Sequence, residues 1–319
     1  MLSGSETSDS RPSLIFSVDV ECWAQSTLNS DLPIGEHCAD STRRLLSIIN
    51  EVPQATGTFF VLGKFAEKHP QVIRDLRAAG HEVACHGYGH VQLHLLTPES
   101  FRQDLRRAVG IISDLTGNAV NGYRAPVFSI GARSLWAFDV LHEEGFLYDS
   151  SIFPIAGRRY GIPNWPRQPR TVRLSNNATI HEFPLTAIRL AGCNIPISGG
   201  GYARLLPGWL LQRWLRAEAE RWATWPVFYC HPYEIDPDEF DRESPPPPWG
   251  SARLPLKTRL HQGLGRKGFA AKLRMLLKGF RFRSLADALS IMGPFAEICA
   301  ADFAHPQARK RRPTKRYDA

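Results

Sequence analysis

The sequence predicts an α/β fold in which strands and helices alternate and the strands form a parallel sheet or barrel. Three observations lead there. Short apolar, β-rich runs recur along the chain, helical periodicity fills the intervals between them, and the polar residues with chemical potential sit at the ends of the runs. A length of 319 residues with 43% hydrophobic content is enough to bury one sizeable core.

In chain order, residues 14–18 (LIFSV) read as a buried strand running into Asp19-Val20-Glu21. Apolar residues at helical spacing over 38–52 predict a helix, and 58–62 (TFFVL) a second buried strand. A helix over 66–79 is expected to stop at Gly80, and a strand over 82–85 opens into His86-Gly-Tyr-Gly-His90. Thr97-Pro98-Glu99 has the order of an N-cap followed by proline at the first helical position, launching a helix to about residue 115. Then follow a short strand at 122–124, a helix over 133–144 and a strand ending at Tyr148-Asp149. A long loop over 154–170 leads to a strand at 179–183, a helix at 209–222 and a strand at 227–230 that ends on His231. Beyond it lie a proline run at 245–248 and a basic amphipathic segment at 267–282. The expected organisation is a tail over 1–12, a catalytic domain over 13–290 with 232–290 as its C-terminal region, and a basic disordered tail over 291–319.

Composition narrows the class. The net charge of +8 owes much to residues 308–316 (ARKRRPTKR), a run expected to be a solvated tail, so no nucleic-acid partner is predicted. The six cysteines are scattered singly, with no CxxC pair, and read as reduced thiols. The start of the chain lacks the basic-then-apolar order of a secretory signal and no run of eighteen apolar residues occurs, which predicts a cytoplasmic protein or one peripheral at the inner membrane.

His86 and His90 lie four apart on a glycine-containing turn, so both imidazoles can face one ion, and two nitrogen donors suit zinc or a similar late divalent metal, cobalt or nickel. An acidic cluster at the end of an earlier strand can add an anionic ligand and leave a fourth position open, as hydrolytic metal chemistry requires. Asp19 and Glu21, two apart, would face the same way on a strand. Arg124, Asp149, Glu182 and His231 also fall at strand ends, where chemistry gathers in such folds. Tyr88, Phe128, Trp165, Tyr202 and Tyr233 lie in loops near these motifs and are candidates to stack on a sugar ring, although most aromatics are simply core.

Six ordered motifs resemble the polysaccharide deacetylases of the NodB homology superfamily: DVE (19–21), HGYGH (86–90), GYRAPVFS (122–129), YDSSIFP (148–154), EFPLT (182–186) and YCHPYEIDP (229–237). More narrowly, the chain is similar to the branch associated with exosortase and exopolysaccharide gene clusters, which carries a distinctive C-terminal region. The resemblance implies a distorted (β/α) barrel with fewer than eight strands and metal-assisted removal of acetyl groups from an N-acetylated polysaccharide or oligosaccharide. By motif it implies that Asp19 is the catalytic base, His86 and His90 are metal ligands, Arg124 positions the base and His231 is the general acid. The commoner first motif is TFDDG; here Val20 occupies the place of the metal carboxylate, so Glu21 is expected to take over as ligand. Branch members often carry an acid where this chain has Cys22. A backbone N–H after Arg124 is the expected oxyanion donor. Tyr88, Phe128, Asp149, Glu182 and Tyr233 are the expected substrate-binding residues, and peripheral association with envelope polysaccharide-synthesis machinery is the expected partnership. Two rival readings stay open at this level: a small-amide or ureide hydrolase of the same superfamily, and an inactive glycan-binding scaffold.

Overall fold

The computed structural model describes residues 10–27, 32–157, 159–238 and 256–304. At its centre is β1 (Ser13–Val20), whose eight residues are all buried. It pairs in parallel with β2 (Thr58–Val61) on one side and with β10 (Val227–Cys230) on the other, Ser17 standing opposite both Thr58 and Tyr229. The parallel run continues through β3 (Glu82–Cys85), β4 (Gly122–Tyr123), β5 (Tyr148–Asp149) and β7 (Thr179–Glu182), in the order β10-β1-β2-β3-β4-β5-β7. A strand packed on both faces reads as continuously apolar, and this is why 14–18 and 58–62 carry no polar alternation.

Seven parallel strands make a distorted barrel because β7 and β10 do not pair. The free edge of β7 is taken by antiparallel β6 (Arg170–Arg173), and the gap is filled by irregular chain: Val227 N donates to Thr186 Oγ1 (2.8 Å) and Tyr229 N to Ser198 O (2.7 Å). Strand parity sorts two cores. Leu14, Phe16, Val18 and Val20 pack outward against the helices, whereas Ile15 joins Phe60, Ala84, Tyr148, Phe183 and Tyr229 inside the barrel.

The outer layer contains α2 (Glu36–Ile49), α5 (Pro98–Thr116), α6 (Trp136–Glu143) and α8 (Gly208–Trp222). Helix α5 starts as expected: Thr97 Oγ1 accepts from Ser100 N and Ser100 Oγ from Thr97 N, with Pro98 in the first turn. The helix expected over 66–79 is instead two, α3 (Gly63–Lys68) and α4 (Pro70–Ala78), because Pro70 lacks the N–H and pushes His69 out of the helical region, to φ −125° and ψ 55°.

The C-terminal region is an integral part of the barrel. The amphipathic segment forms α10 (Phe269–Gly279), which buries Phe269, Leu273, Leu276 and Leu277, and then β11 (Arg281–Arg283), which pairs with the start of β1. Chain beyond residue 290, expected as a disordered tail, also joins the sheet: β12 (Glu297–Cys299) pairs with β6. Just ahead of residue 13, Arg11 donates to Leu277 O and Pro12 O accepts from Arg281 N. Strand β6 and the hairpin of β8 (Ala187–Leu190) and β9 (Cys193–Pro196) were not expected. RTVR has no apolar run, and the hairpin turns on Ala191-Gly192, both at positive φ, without the Asn-Gly that usually marks such a turn. The proline run at 245–248 and the basic run at 308–316 lie outside the described residues. All six cysteines are free thiols, and no helix among the described residues is long and apolar enough to cross a membrane.

Candidate active site

The site is built where β1, β3, β4 and β10 end. Parity places Asp19 and Ser17 inside the barrel while Val20 faces the outer core, so the next residue able to reach the mouth is Glu21. Its Oε2 lies 2.6 Å from His90 Nε2 and 3.4 Å from His86 Nε2, and its Oε1 lies 3.3 Å from His231 Nε2. Burial alone would raise the Glu21 carboxyl, but His90, His86 and His231 outweigh it and hold the group well below the ordinary carboxylate range.

The turn between the histidines is shaped by glycine. Gly87 has φ +77°, and a Cβ there would meet Asp104 Oδ2 at 2.9 Å; that same carboxylate accepts from Tyr88 N (2.8 Å) and ties the turn to α5. His86 Nδ1 is 2.7 Å from the carbonyl of Arg124, to which it donates, so Nε2 is the nitrogen that can turn to an ion beside Glu21. One carboxylate and two imidazoles therefore converge, their ligand atoms all within 4.8 Å of one another. With Nε2 of His86 left for an ion by the Nδ1 hydrogen bond and the carboxylate held anionic, this donor set of three suits a zinc-like divalent ion, whose usual four-coordination leaves one position for a further ligand.

Beneath it, Arg124 is fully buried and uses all three guanidinium nitrogens. Nη1 donates to Asp19 Oδ1 (2.7 Å) and Ser17 Oγ (2.8 Å), Nε to Ser150 O (2.8 Å) and Nη2 to Ser150 Oγ (2.8 Å), while the group stacks 4.2 Å from the Phe60 ring centre. Asp19 is thus fixed at the end of β1, two residues before Glu21.

His231 closes the opposite side. It stacks on Tyr233 (4.7 Å between centroids, 11° between planes), and its Nδ1 faces Glu234 Oε2 at 3.3 Å. Glu234 is locked by the backbone N–H of His231 (3.0 Å) and by Arg204 (2.9 Å). Burial pulls the His231 pKa down, but Glu234 and the charge of Glu21 raise it overall.

Of the expected substrate residues, Tyr233 stacks on His231, and Phe128 is buried with its ring 4.9 Å from that of Tyr229. Three others are corrected. Tyr88 is turned outward by the same turn that aims the histidines inward; its hydroxyl bonds Glu67 and its ring lies under Arg107 at 3.6 Å. Asp149 and Glu182 are fully buried below the site rather than exposed to a ligand. Asp149 accepts from Ser151 Oγ and N, Ser151 Oγ in turn accepts from Ala125 N, and Glu182 accepts from Ile152 N. Burial and the neighbouring Asp149 charge raise the Glu182 carboxyl well above the ordinary carboxylate range. Trp165 is core, packed between Phe138 and Phe303. Sequence reasoning missed Glu234, Arg204, Ser17, Ser150 and Asp104. Only Glu234, three residues after His231 behind a proline, left a local signal.

The fold and these groups define a distorted α/β barrel with a candidate metal centre at the carboxyl ends of its strands. Residues 31–141 match the family model described as polysaccharide deacetylase, and residues 150–290 match a domain of unknown function, DUF3473. Over residues 31–141 the chain is thus similar to the polysaccharide deacetylases. Similar curated proteins include a peptidoglycan deacetylase-like protein of Gibberella zeae, 33% identical over 110 residues (34% of this chain, 32% of that one). Another is a peptidoglycan deacetylase of Helicobacter pylori, 32% identical over 114 residues (34% and 36%). The chain therefore spans about a third of the length of these relatives. A crystal structure of a Mycobacterium smegmatis protein assigned as a polysaccharide deacetylase shares the fold, with a TM-score of 0.58, 22% identity and 95% coverage of each chain.

Proposed function

We propose that this protein is a metal-dependent hydrolase that removes acetyl groups from an N-acetylated polysaccharide. The observation that carries the reading is the convergence of three groups at one end of the barrel: the Glu21, His86 and His90 donors, the buried Asp19–Arg124 pair, and His231 backed by Glu234. A scaffold that only bound glycans would have no use for this whole set.

A divalent ion held by Glu21, His86 and His90, zinc by the chemistry of the donors with cobalt or nickel as substitutes, would supply the Lewis acidity that polarises an amide carbonyl and acidifies water. Asp19, immobilised by Arg124, takes the proton of the attacking water. The developing oxyanion needs a donor, and in the segment after β4 the N–H groups of Arg124, Ala125 and Phe128 are spent on Cys85 O, Ser151 Oγ and Ala125 O, while Pro126 has none. This leaves the Val127 N–H, presented by a backbone at φ 56°, an uncommon conformation for a β-branched residue. His231, with Nδ1 directed to Glu234, offers Nε2 to protonate the leaving amine, and acetate and the free amino sugar depart.

The C-terminal region resembling the exopolysaccharide-associated branch supports an exopolysaccharide as substrate and association with envelope-synthesis machinery. The test is acetate release from N-acetylated oligosaccharides by the purified chain, before and after chelation and with zinc, cobalt or nickel restored. Release that stops on chelation and returns with metal is the expected result. Absence of release from every glycan, with release from a small ureide, would transfer the same machinery to a different substrate class.

A further inference from the structure

One face of the molecule combines exposed apolar side chains with a surplus of cations and takes no part in the chemistry above. Leu205, Trp209, Leu256, Leu260 and Leu264 are each between 59% and 71% exposed. They belong to three neighbouring elements: α7 (Gly200–Leu205), the start of α8, and α9 (Leu256–Gly263) with the residue that follows it. Arg204 Nη1 donates to Gln262 O (2.5 Å), a Cβ at Gly265 would meet the Arg204 carbonyl oxygen at 2.8 Å, and Lys272 Nζ donates to Ala203 O, Arg204 O and Leu206 O. Leu256, Leu260 and Leu264 recur every four residues, so they form one stripe along the helix.

Scattered surface leucines are ordinary; a cluster in a cationic setting is not. Residues 256–283 contain nine lysines and arginines and no aspartate or glutamate, although Arg266 is buried and Lys272 is spent on three backbone carbonyls. Arg213 follows Trp209 by one turn on the same face of α8, and Lys267 and Lys278 are exposed nearby. Between α8 and α10 runs a groove of about 540 Å³ lined by Arg216, Arg274 and Lys278, of which Arg274 is paired with Glu51. Apolar side chains that can enter the acyl boundary, flanked by cations that can meet headgroup phosphates, complement an anionic bilayer surface in both charge and hydrophobicity.

We propose that this face seats on the surface of an anionic lipid bilayer. It adjoins the site, since Arg204, next to Leu205, pairs with the Glu234 that holds His231. Seated there, the acid side of the cleft would open close to the headgroup layer, where a glycan carried by a lipid would be presented. The contact itself does not depend on the deacetylase reading, because flotation reads it whether or not the protein turns over a substrate.

The experiment is flotation of the full chain with vesicles of phosphatidylcholine alone and of two parts phosphatidylcholine to one part phosphatidylglycerol, at low and high salt. Binding should be at least roughly tenfold stronger to the anionic vesicles and should weaken as salt screens the headgroups. Leu260→Ser, Leu264→Ser and Trp209→Ser should each weaken it by roughly tenfold, the equivalent of withdrawing one apolar side chain from the interface. Lys267→Glu with Lys278→Glu should do the same through charge, while acetate release from a soluble substrate stays at the parent level in all of them. Equal binding to both vesicle types, no flotation at all, or parent-like flotation of folded variants would each overturn the proposal. A lipid-free dimer abolished by Trp209→Ser would overturn it too, by making the partner a second copy of this chain. Should a substitution unfold the protein, the comparison of vesicle types and salts with the unaltered chain still decides.

Discussion

Arg124→Met offers a sharp test of how the site is held. The substitution keeps the length and apolar stem of the side chain but deletes four hydrogen bonds, to Asp19, Ser17 and twice to Ser150, at a position with no solvent access. Water cannot replace the lost donors there, and Asp19, 2% exposed, becomes a buried carboxylate with no cation beside it. Removing one partner of a buried pair costs about 3–5 kcal/mol, and the orphaned Ser150 carbonyl adds roughly 1–3 kcal/mol. Against a total stability of about 5–15 kcal/mol, this takes a large share. Urea denaturation in the presence of chelator, so that metal affinity does not enter, should show the loss. Arg124→Lys, which keeps the cation and forfeits the planar fork, should cost less, roughly 1–3 kcal/mol. The diagnostic comparison is the double variant Arg124→Met with Asp19→Asn: with no charge left unpaired, it should be more stable than Arg124→Met alone by about 1–3 kcal/mol. If Arg124→Met unfolds within about 1 kcal/mol of the parent, or the two costs simply add, then Arg124 is not what compensates Asp19 and the base has another anchor.

Three further outcomes follow from the same geometry. Asp19→Asn should abolish acetate release with metal content unchanged, whereas His86→Ala should lose both, as read by elemental analysis alongside activity. Glu234→Gln should lower kcat roughly tenfold or more with KM little changed, because the proton position on His231 is disturbed and the mouth is not; a change confined to KM would place Glu234 in substrate binding instead. Burial pushes the Asp149 carboxyl up to about 6 from its ordinary 3.8, so the folded chain keeps a proton that the unfolded chain releases, and this group subtracts stability as pH rises from about 4 to about 6. Relative to the parent, Asp149→Asn should therefore gain stability across that window in denaturation experiments, and a pH-independent difference would show that the pair does not titrate as described.

The legibility of the site followed chain distance. Glu21, His86 and His90 could be read because strand parity and a glycine turn are local properties, and for that reason it is Glu21 that meets the two histidines while Val20 points to the outer core. Asp149 and Glu182 were legible as strand-end acids but not as buried ones, since burial depends on what covers a strand end, and that cover comes from the loops at 124–129 and 150–154. Tyr88 shared a motif with two inward histidines and still faces out, because the αL backbone at Gly87 reverses the side.

By itself the sequence determined the alternation of strand and helix, the parallel sheet, and the residue types gathered at the strand ends, because hydrophobic periodicity and turn chemistry act within a few residues. Only the tertiary structure decided how the barrel fails to close between β7 and β10, that residues 291–304 return to pair β12 with β6, and that Arg204, 27 positions before His231, reaches it through Glu234. Those contacts join residues far apart in the chain, and no local propensity encodes a distance that packing alone sets.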